Sequence, residues 1–497
     1  MMPIFKYLLS LFVIFWLLGL FLLVFRNRNL SLDSNYDDQS NQFVRLVESA
    51  LLKLDRLEKR NKQLENEYRE LKASADQLTP HSSSINLAPS LIETRRKIFD
   101  DLTDLSFYLK AQSQLNDVKK LNKFKQNARH RLNVLLAYAH NLTRFESNEM
   151  RNLTDQLMQR IDRLQNPPDC DKAPKIICDL NKACGFGCQI HHVMYCFITA
   201  YFTNRTLIVE AKNWRYNAQG YEAYFQPVSR TCRHVKYKAV SWGEPNYDRA
   251  QSIKMPIIDV LNHRPDFLPQ AVPSELLGAL QRLHGAPFVW WAGQLVAYLM
   301  RFNNDLERQV HRVKSRLNYR TPCVGVHVRR TDKVGTEAAY HDLDEYMRGV
   351  DEYFDLHELI NGSTGTKRVV YLATDEVKVH NEATRRYPNH EFVYDSSFSK
   401  LASMSMRYTP ASALGVILDT HLLSQCDYLV CTFSSQVCRM AYELMQARYT
   451  SGDASWRFRS LDDVYYYGGQ SGHDVRALFD HVASGASSEI DLRAGDL

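Results

Sequence analysis

Five short apolar runs, at 206–210 (TLIVE), 324–328 (VGVHV), 369–373 (VVYLA), 392–394 (FVY) and 428–431 (YLVC), alternate with stretches long enough to be helices. Short β-rich runs interleaved with helices pair in parallel through crossover connections, which predicts an α/β body built on a Rossmann-type parallel sheet. Ligands of such folds bind beyond the carboxyl ends of the strands. The residues that directly follow each run are therefore where chemistry is sought.

Ahead of this body lie segments of a different kind. Residues 7–25 form an apolar run of 19 interrupted only by Ser10 and Gly19. At about 1.5 Å per residue this nearly spans a hydrocarbon core of ~30 Å. No small-residue cleavage site follows in Arg26-Asn27-Arg28, so the run reads as an uncleaved transmembrane anchor behind a cytoplasmic tail at 1–6. Lys6 and the amino terminus balance Arg26 and Arg28, so flanking charge does not set the topology. Sequons at Asn29, Asn141, Asn152, Asn204 and Asn361, with the clustered cysteines, favour a lumenal body.

From Phe43 the positions Val47, Ala50, Leu54, Leu57, Asn61, Leu64, Tyr68, Leu71, Ala75 and Leu78 follow in alternating steps of four and three. This is a heptad seam, and it predicts a coiled-coil stalk over 26–80. Asn61 at a core position is best satisfied by its own symmetry mate, so a parallel homodimer is expected; a monomeric helix packed on the body is the alternative. Thr79-Pro80 breaks the helix, and a helical stem is expected over 81–166. Pro167-Pro168 opens the body at 167–470.

The 62 basic and 56 acidic residues leave a net charge of only +6, with no concentrated basic patch, which argues against a nucleic-acid partner. All ten cysteines lie beyond residue 169, and six of them (Cys170, Cys178, Cys184, Cys188, Cys196, Cys232) fall within 63 residues. An oxidising compartment makes these disulfides. The rival is a zinc site, because Cys184, Cys188, His191, His192 and Cys196 supply thiolate and imidazole at short spacing.

The segment VGVHVRRTDKVGTEAAYH, 324–341, starts as a strand and then delivers Arg329, Arg330, Asp332, Lys333 and Glu337. Cations leaving one strand end together suit a nucleoside diphosphate, whose oxygens an arginine fork can hold two at a time. The plainer reading is a solvated basic loop paired with its own acids. RVVYLATD ends in Asp375, and YLVCTFSSQ ends in Ser434, Ser435 and Gln436 at an expected helix start, which suits a phosphate or is merely an N-cap. Asp419 in GVILDTH either reads a base edge or pairs locally.

HVRRTDKVGTEAA, VYLATD, GVILD, LVCTFSSQVCR, SLDDVYYYGGQ, CGFGCQIHHVMYC and NWRY together resemble the α-1,6-fucosyltransferases that add core fucose to N-glycans. The resemblance covers roughly residues 170–470. It implies a GT-B-like body in the Golgi membrane and an inverting transfer of L-fucose from GDP-β-L-fucose to the innermost N-acetylglucosamine of N-glycans. No metal and no cofactor are implied, only the GDP-fucose donor and the glycoprotein acceptor. By the same resemblance Arg329, with Ser435 and Gln436, would hold the β-phosphate, with Arg330 and Asp375 in the same signature. His327, Asp419 and Tyr216 would contact guanosine. Glu337 would be the general base, linked to Lys333, and Lys182, Asp259, Asp462 and Asp463 would line the glycan groove. Cysteine pairs Cys170–Cys232, Cys178–Cys196, Cys184–Cys188 and Cys431–Cys438 are implied, with Cys323 and Cys426 free.

Such enzymes carry an SH3-like barrel at the carboxyl end, and ALFDHVASGASSEIDLRAGD reads as its first strand and loop, so an incomplete SH3-like segment is expected over 471–497. Asp342-Leu343-Asp344 mimics the DxD signature of cation-dependent transferases but is expected to be a helix-start charge cluster. Two other functions fit parts of the pattern: a protein O-fucosyltransferase, and an inactive membrane-tethered glycan-binding scaffold.

Overall fold

The computed structural model describes residues 147–257, 264–265, 267–268, 270–331, 334–335, 338–361, 367–403, 405–449, 453–468 and 490–493. The expected anchor, the heptad stalk, the stem up to residue 146 and nearly all of the SH3-like segment lie outside the described residues. So do Asp259, Lys333 and Glu337. Among the described residues no helix is long and apolar enough to cross a membrane.

The helical stem ends in α1 (Ser147–Gln165), and the prolines at 167 and 168 stop it as expected. The first lobe follows: β1 (Lys175–Asp179), α2 (Phe186–Phe202), β2 (Thr206–Glu210), β3 (Val240–Ser241) and β4 (Ser252–Lys254). Its four strands are all parallel, in the order β2-β1-β4-β3. Three helices then cross over: α3 (Ser274–Leu283), α4 (Pro287–Leu299) and α5 (Asn304–Arg316). The second lobe comprises β5 (Cys323–Val328), α6 (Leu343–Asn361), β6 (Arg368–Thr374), α7 (Lys378–Arg386), β7 (His390–Val393), α8 (Ser396–Leu401), α9 (Pro410–Gln425), β8 (Tyr428–Cys431), α10 (Gln436–Arg448) and β9 (Phe458–Ser460). Its five strands are also parallel, in the order β7-β6-β5-β8-β9.

All six residues of β5 are buried, as a central parallel strand with both faces covered must be. Val324, Val326 and Val328 face Leu343, Tyr346, Met347 and Val350 of α6. The alternate residues face α9 and α10, where Cys323 joins Leu422, Leu423 and Met445. Gly325 lies on that second face, and a Cβ there would stand 3.1 Å from Leu423. Thr409 starts α9 by accepting the Ser412 N–H at 3.1 Å, with Pro410 as the first helical residue. Between the lobes α4 is apolar on nearly every side, with Trp290 and Trp291 buried, because it packs against both α2 and α10.

All four implied disulfides are present, and Cys323 and Cys426 are free and buried. This removes the zinc alternative. Cys178, His192 and Cys196 do bring ligand atoms within 4.8 Å of one another, but both sulfurs are bonded to each other and are no longer thiolates. Cys178–Cys196 ties β1 to α2, and Cys431–Cys438 ties the end of β8 to the first turn of α10.

Candidate active site

The registers Val328 with Thr374, Val326 with Val430, and Cys431 with Ser460 place the carboxyl ends of β6, β5, β8 and β9 along one edge of the second sheet. Arg329 and Asp375 follow directly from that edge, and Ser434 and Asp462 stand within three residues of it. Asp375 organises it. Its carboxylate accepts the Arg330 N–H at 3.0 Å, the Thr331 N–H at 3.2 Å and the Thr331 hydroxyl, and it pairs with the Arg329 guanidinium at 2.8 Å. The loop after β5 is thus wound around a buried acid at the end of β6, so Asp375 positions the loop.

The two arginines diverge. Arg330 gives its guanidinium to Glu382 at 3.2 Å and to the His341 carbonyl at 3.0 Å, and lies over the Tyr340 ring. Its side chain is 6% exposed, against 18% for Arg329. Arg330 braces the loop, because α7 and the segment before α6 supply it with acceptors. Arg329 is the cation at the sheet edge.

His327 is the last residue of β5 that alternation turns toward the α9 side. Burial, together with the Arg329 charge, pushes its imidazole down to about 4 against the pull of Asp375, so the ring is neutral near pH 7. Its Nδ1 is buried without a hydrogen-bond partner in the described structure. On the same side Asp419, in the middle of α9, accepts the Tyr371 hydroxyl at 2.6 Å. Burial raises the Asp419 carboxyl to about 7, more than that hydrogen bond lowers it. Tyr216 is buried in the first lobe, where its hydroxyl accepts the Phe186 N–H at the start of α2 at 2.9 Å and its ring meets Tyr408 edge-on.

Ser435 stands at the N-cap position of α10, yet its side chain makes no capping hydrogen bond, which removes the plain N-cap reading. Ser434 offers its N–H to Asp462, whose carboxylate also takes the Ser460 hydroxyl at 3.0 Å and the Asp463 N–H at 2.6 Å. Asp462 thus holds the turn between β8 and α10. Lys182 sits in the turn after β1, where its carbonyl accepts the Gln189 side chain at 2.7 Å. The start of α2 lies directly against the start of α10: a Cβ on Gly187 would stand 2.8 Å from the Cβ of Gln436. Two helix N-termini therefore meet near one sheet edge, an arrangement suited to an anion. The Asp342 and Asp344 pair is bound at the start of α6 by Arg386, at 3.0 and 2.8 Å, as a helix-start cluster should be.

Sequence reasoning passed over Tyr371, Thr331, Glu382 and Glu443. Each is recognisable only through a partner from a distant element, so no local spacing marks them.

A family model described as alpha-(1,6)-fucosyltransferase N- and catalytic domains matches residues 1–466. The chain belongs to the alpha-(1,6)-fucosyltransferase family. This family member is 36% identical to an alpha-(1,6)-fucosyltransferase of Caenorhabditis elegans, over 88% of the chain and 82% of that relative. It is 49% identical to one of Drosophila melanogaster, over 70% of the chain and 55% of that relative, so this second match spans about half the relative's length. Among solved structures, the fucosyltransferase NodZ from Bradyrhizobium is similar at 18% identity with a TM-score of 0.33, covering 55% of the chain and 92% of NodZ.

Proposed function

We propose that the chain is a Golgi glycosyltransferase that moves L-fucose from GDP-β-L-fucose to the 6-hydroxyl of the innermost N-acetylglucosamine of N-glycans, with inversion and without a divalent cation. Family membership supports the activity. The observation that carries the site is the sheet edge where Arg329, held by Asp375, neighbours the uncapped start of α10. Two parallel-sheet lobes packed through α2, α4 and α10 are the arrangement expected of a GT-B body.

In this reading Arg329, Ser435 and Gln436 hold the β-phosphate. A fixed cation and helix N–H groups stabilise the departing diphosphate, the part a metal plays in other transferases. Asp419 accepts the donor edge of guanine, while neutral His327 and Tyr216 line the nucleoside. Glu337 takes the proton of the acceptor hydroxyl as the bond from sugar C1 to phosphate opens, with Lys333 beside it. Lys182, Asp259, Asp462 and Asp463 line the glycan groove. The apolar run at 7–25 anchors the chain as a type II protein, and the heptad seam pairs two copies.

The test is transfer by the full chain from GDP-fucose to an N-glycan bearing terminal N-acetylglucosamine on its α1,3 arm, with and without chelator, followed by linkage mapping. An α1,6 product formed equally in chelator is expected. Activity that disappears in chelator and returns with Mn²⁺ would refute the metal-free mechanism. Glu337→Gln should abolish transfer and leave GDP affinity within about twofold, a factor worth roughly 0.4 kcal/mol; equal loss of both would make Glu337 structural.

A further inference from the structure

His191, five residues into α2, reaches across to α10. Its Nδ1 meets Oε1 of Gln436, and its Nε2 stands 2.8 Å from Oε2 of Glu443. Glu443 is fully buried and accepts the Tyr465 hydroxyl on its other oxygen at 2.6 Å. The Tyr467 hydroxyl donates to the His191 carbonyl at 3.1 Å, and its ring stands edge-on to the imidazole. Gln436 and Glu443 are seven residues apart, two turns along one helix face. The result is a buried row, Tyr465 to Glu443 to His191 to Gln436, that ends on the first residue of α10.

The chemistry of this row has a direction. An amide oxygen only accepts, so Nδ1 of His191 donates to Gln436, and Nε2 shares a proton with the Glu443 carboxyl. The amide of Gln436 is then fixed: Oε1 is engaged by His191, and the Nε2 hydrogens are the end left for a ligand at the helix start. The opposite orientation would present an oxygen to an anion. A buried polar pair gives little or no net stability over a well-packed apolar replacement, so packing alone does not account for it.

We propose that His191 and Glu443 are positioning residues for the donor diphosphate: they hold Gln436 so that its amide N–H donates to the anion. This rests on the reading of the sheet edge as a GDP site. His191 does not itself touch the nucleotide; it acts through Gln436.

GDP titrated calorimetrically into the full chain tests this. Gln436→Ala should weaken GDP roughly tenfold, the worth of a hydrogen bond to a charged group. His191→Phe keeps the ring's shape and removes both nitrogens, and should weaken GDP by nearly the same factor. The double variant should be no weaker than Gln436→Ala alone, because two residues acting through one bond are not additive. His191→Asn keeps a donor near the place of Nδ1 and should recover most of the affinity. Glu443→Gln removes the carboxyl that holds Nε2, and its loss should likewise vanish in the Gln436→Ala background; it serves if His191→Phe fails to fold. Losses that multiply in the double variants would mark a packing role and overturn the proposal. So would GDP affinity unchanged by either His191→Phe or Gln436→Ala. A wild-type chain that binds no GDP would overturn the donor reading itself, and that is seen before any variant is made.

Discussion

Asp375 and Arg329 form one device, and substitution should reveal them as such. Arg329→Ala removes a charge from the proposed phosphate site, so GDP affinity should fall roughly tenfold to a hundredfold in calorimetry. Asp375→Ala leaves the N–H groups of Arg330 and Thr331 without their acceptor, and should produce a similar loss. Arg330→Met should instead lower the melting temperature and change GDP affinity little, because its guanidinium is turned to Glu382 and His341. Asp419 offers a test by pH. Its carboxyl titrates at about 7, and guanine N–H donors need the charged form, so GDP affinity should weaken as pH falls from 8 to 6. Asp419→Asn should bind GDP more weakly and without that pH dependence; a wild-type affinity that stays flat across the range would exclude Asp419 from the base. The sequence shows that several cations leave one strand end together, but not where each points. That direction is set by Asp375, just after β6, and Glu382 on α7, which lie 44 or more residues away along the chain. Asp419 was legible as a candidate, whereas its hydroxyl partner Tyr371 was hidden inside a run that reads only as strand.

At the scale of elements, the longer β-rich runs declared themselves: β2 and β8 have the bounds of their apolar runs, β5 and β6 extend theirs by a residue or two, and β7 starts two residues before its run and ends one short of it, at Val393. The strands that went unread were β1, which carries a cysteine and ends in Asp179, and β3, β4 and β9, which have two or three residues each. Strands so short have no period of their own; neighbours in the sheet make them strands. Helix packing was equally silent, although it aligns the site. A Cβ on Gly293 of α4 would stand 2.2 Å from the Glu443 carbonyl oxygen of α10, so Gly293→Ala must push one backbone from another. It should destabilise the body by about 1–3 kcal/mol in urea titration and weaken GDP as α10 shifts. Gly278 in α3 meets only the tip of Arg282 at 3.9 Å, so Gly278→Ala should stabilise by about 0.5–1 kcal/mol. Equal effects at the two glycines would mean that the close approach of α4 to α10 does not bear on the site.

Over the whole molecule, buried titratable groups make stability depend on pH in a calculable direction. His327 and His380 are pushed down to about 4 and His421 to about 3, in each case mainly by burial. In the unfolded chain a histidine titrates near 6.5, so around pH 5 unfolding takes up three imidazole protons. Asp419 works the other way. Its folded carboxyl keeps a proton up to about 7, while the unfolded one loses it near 3.8, so unfolding at pH 5 releases one. The unfolded state thus binds two more protons on balance, and stability rises with pH through this window. The melting temperature should climb from pH 4.5 to 6.5 and level off above 7, where the histidines are neutral in both states. His380→Gln, which removes one imidazole from behind Tyr394, should make the climb shallower. Asp419→Asn removes the opposing proton and should make it steeper. The two variants change the slope in opposite senses while lying on different elements of the same lobe. A melting temperature that is flat between pH 4.5 and 6.5, or a slope that neither variant alters, would show that these groups titrate alike in the folded and unfolded chain.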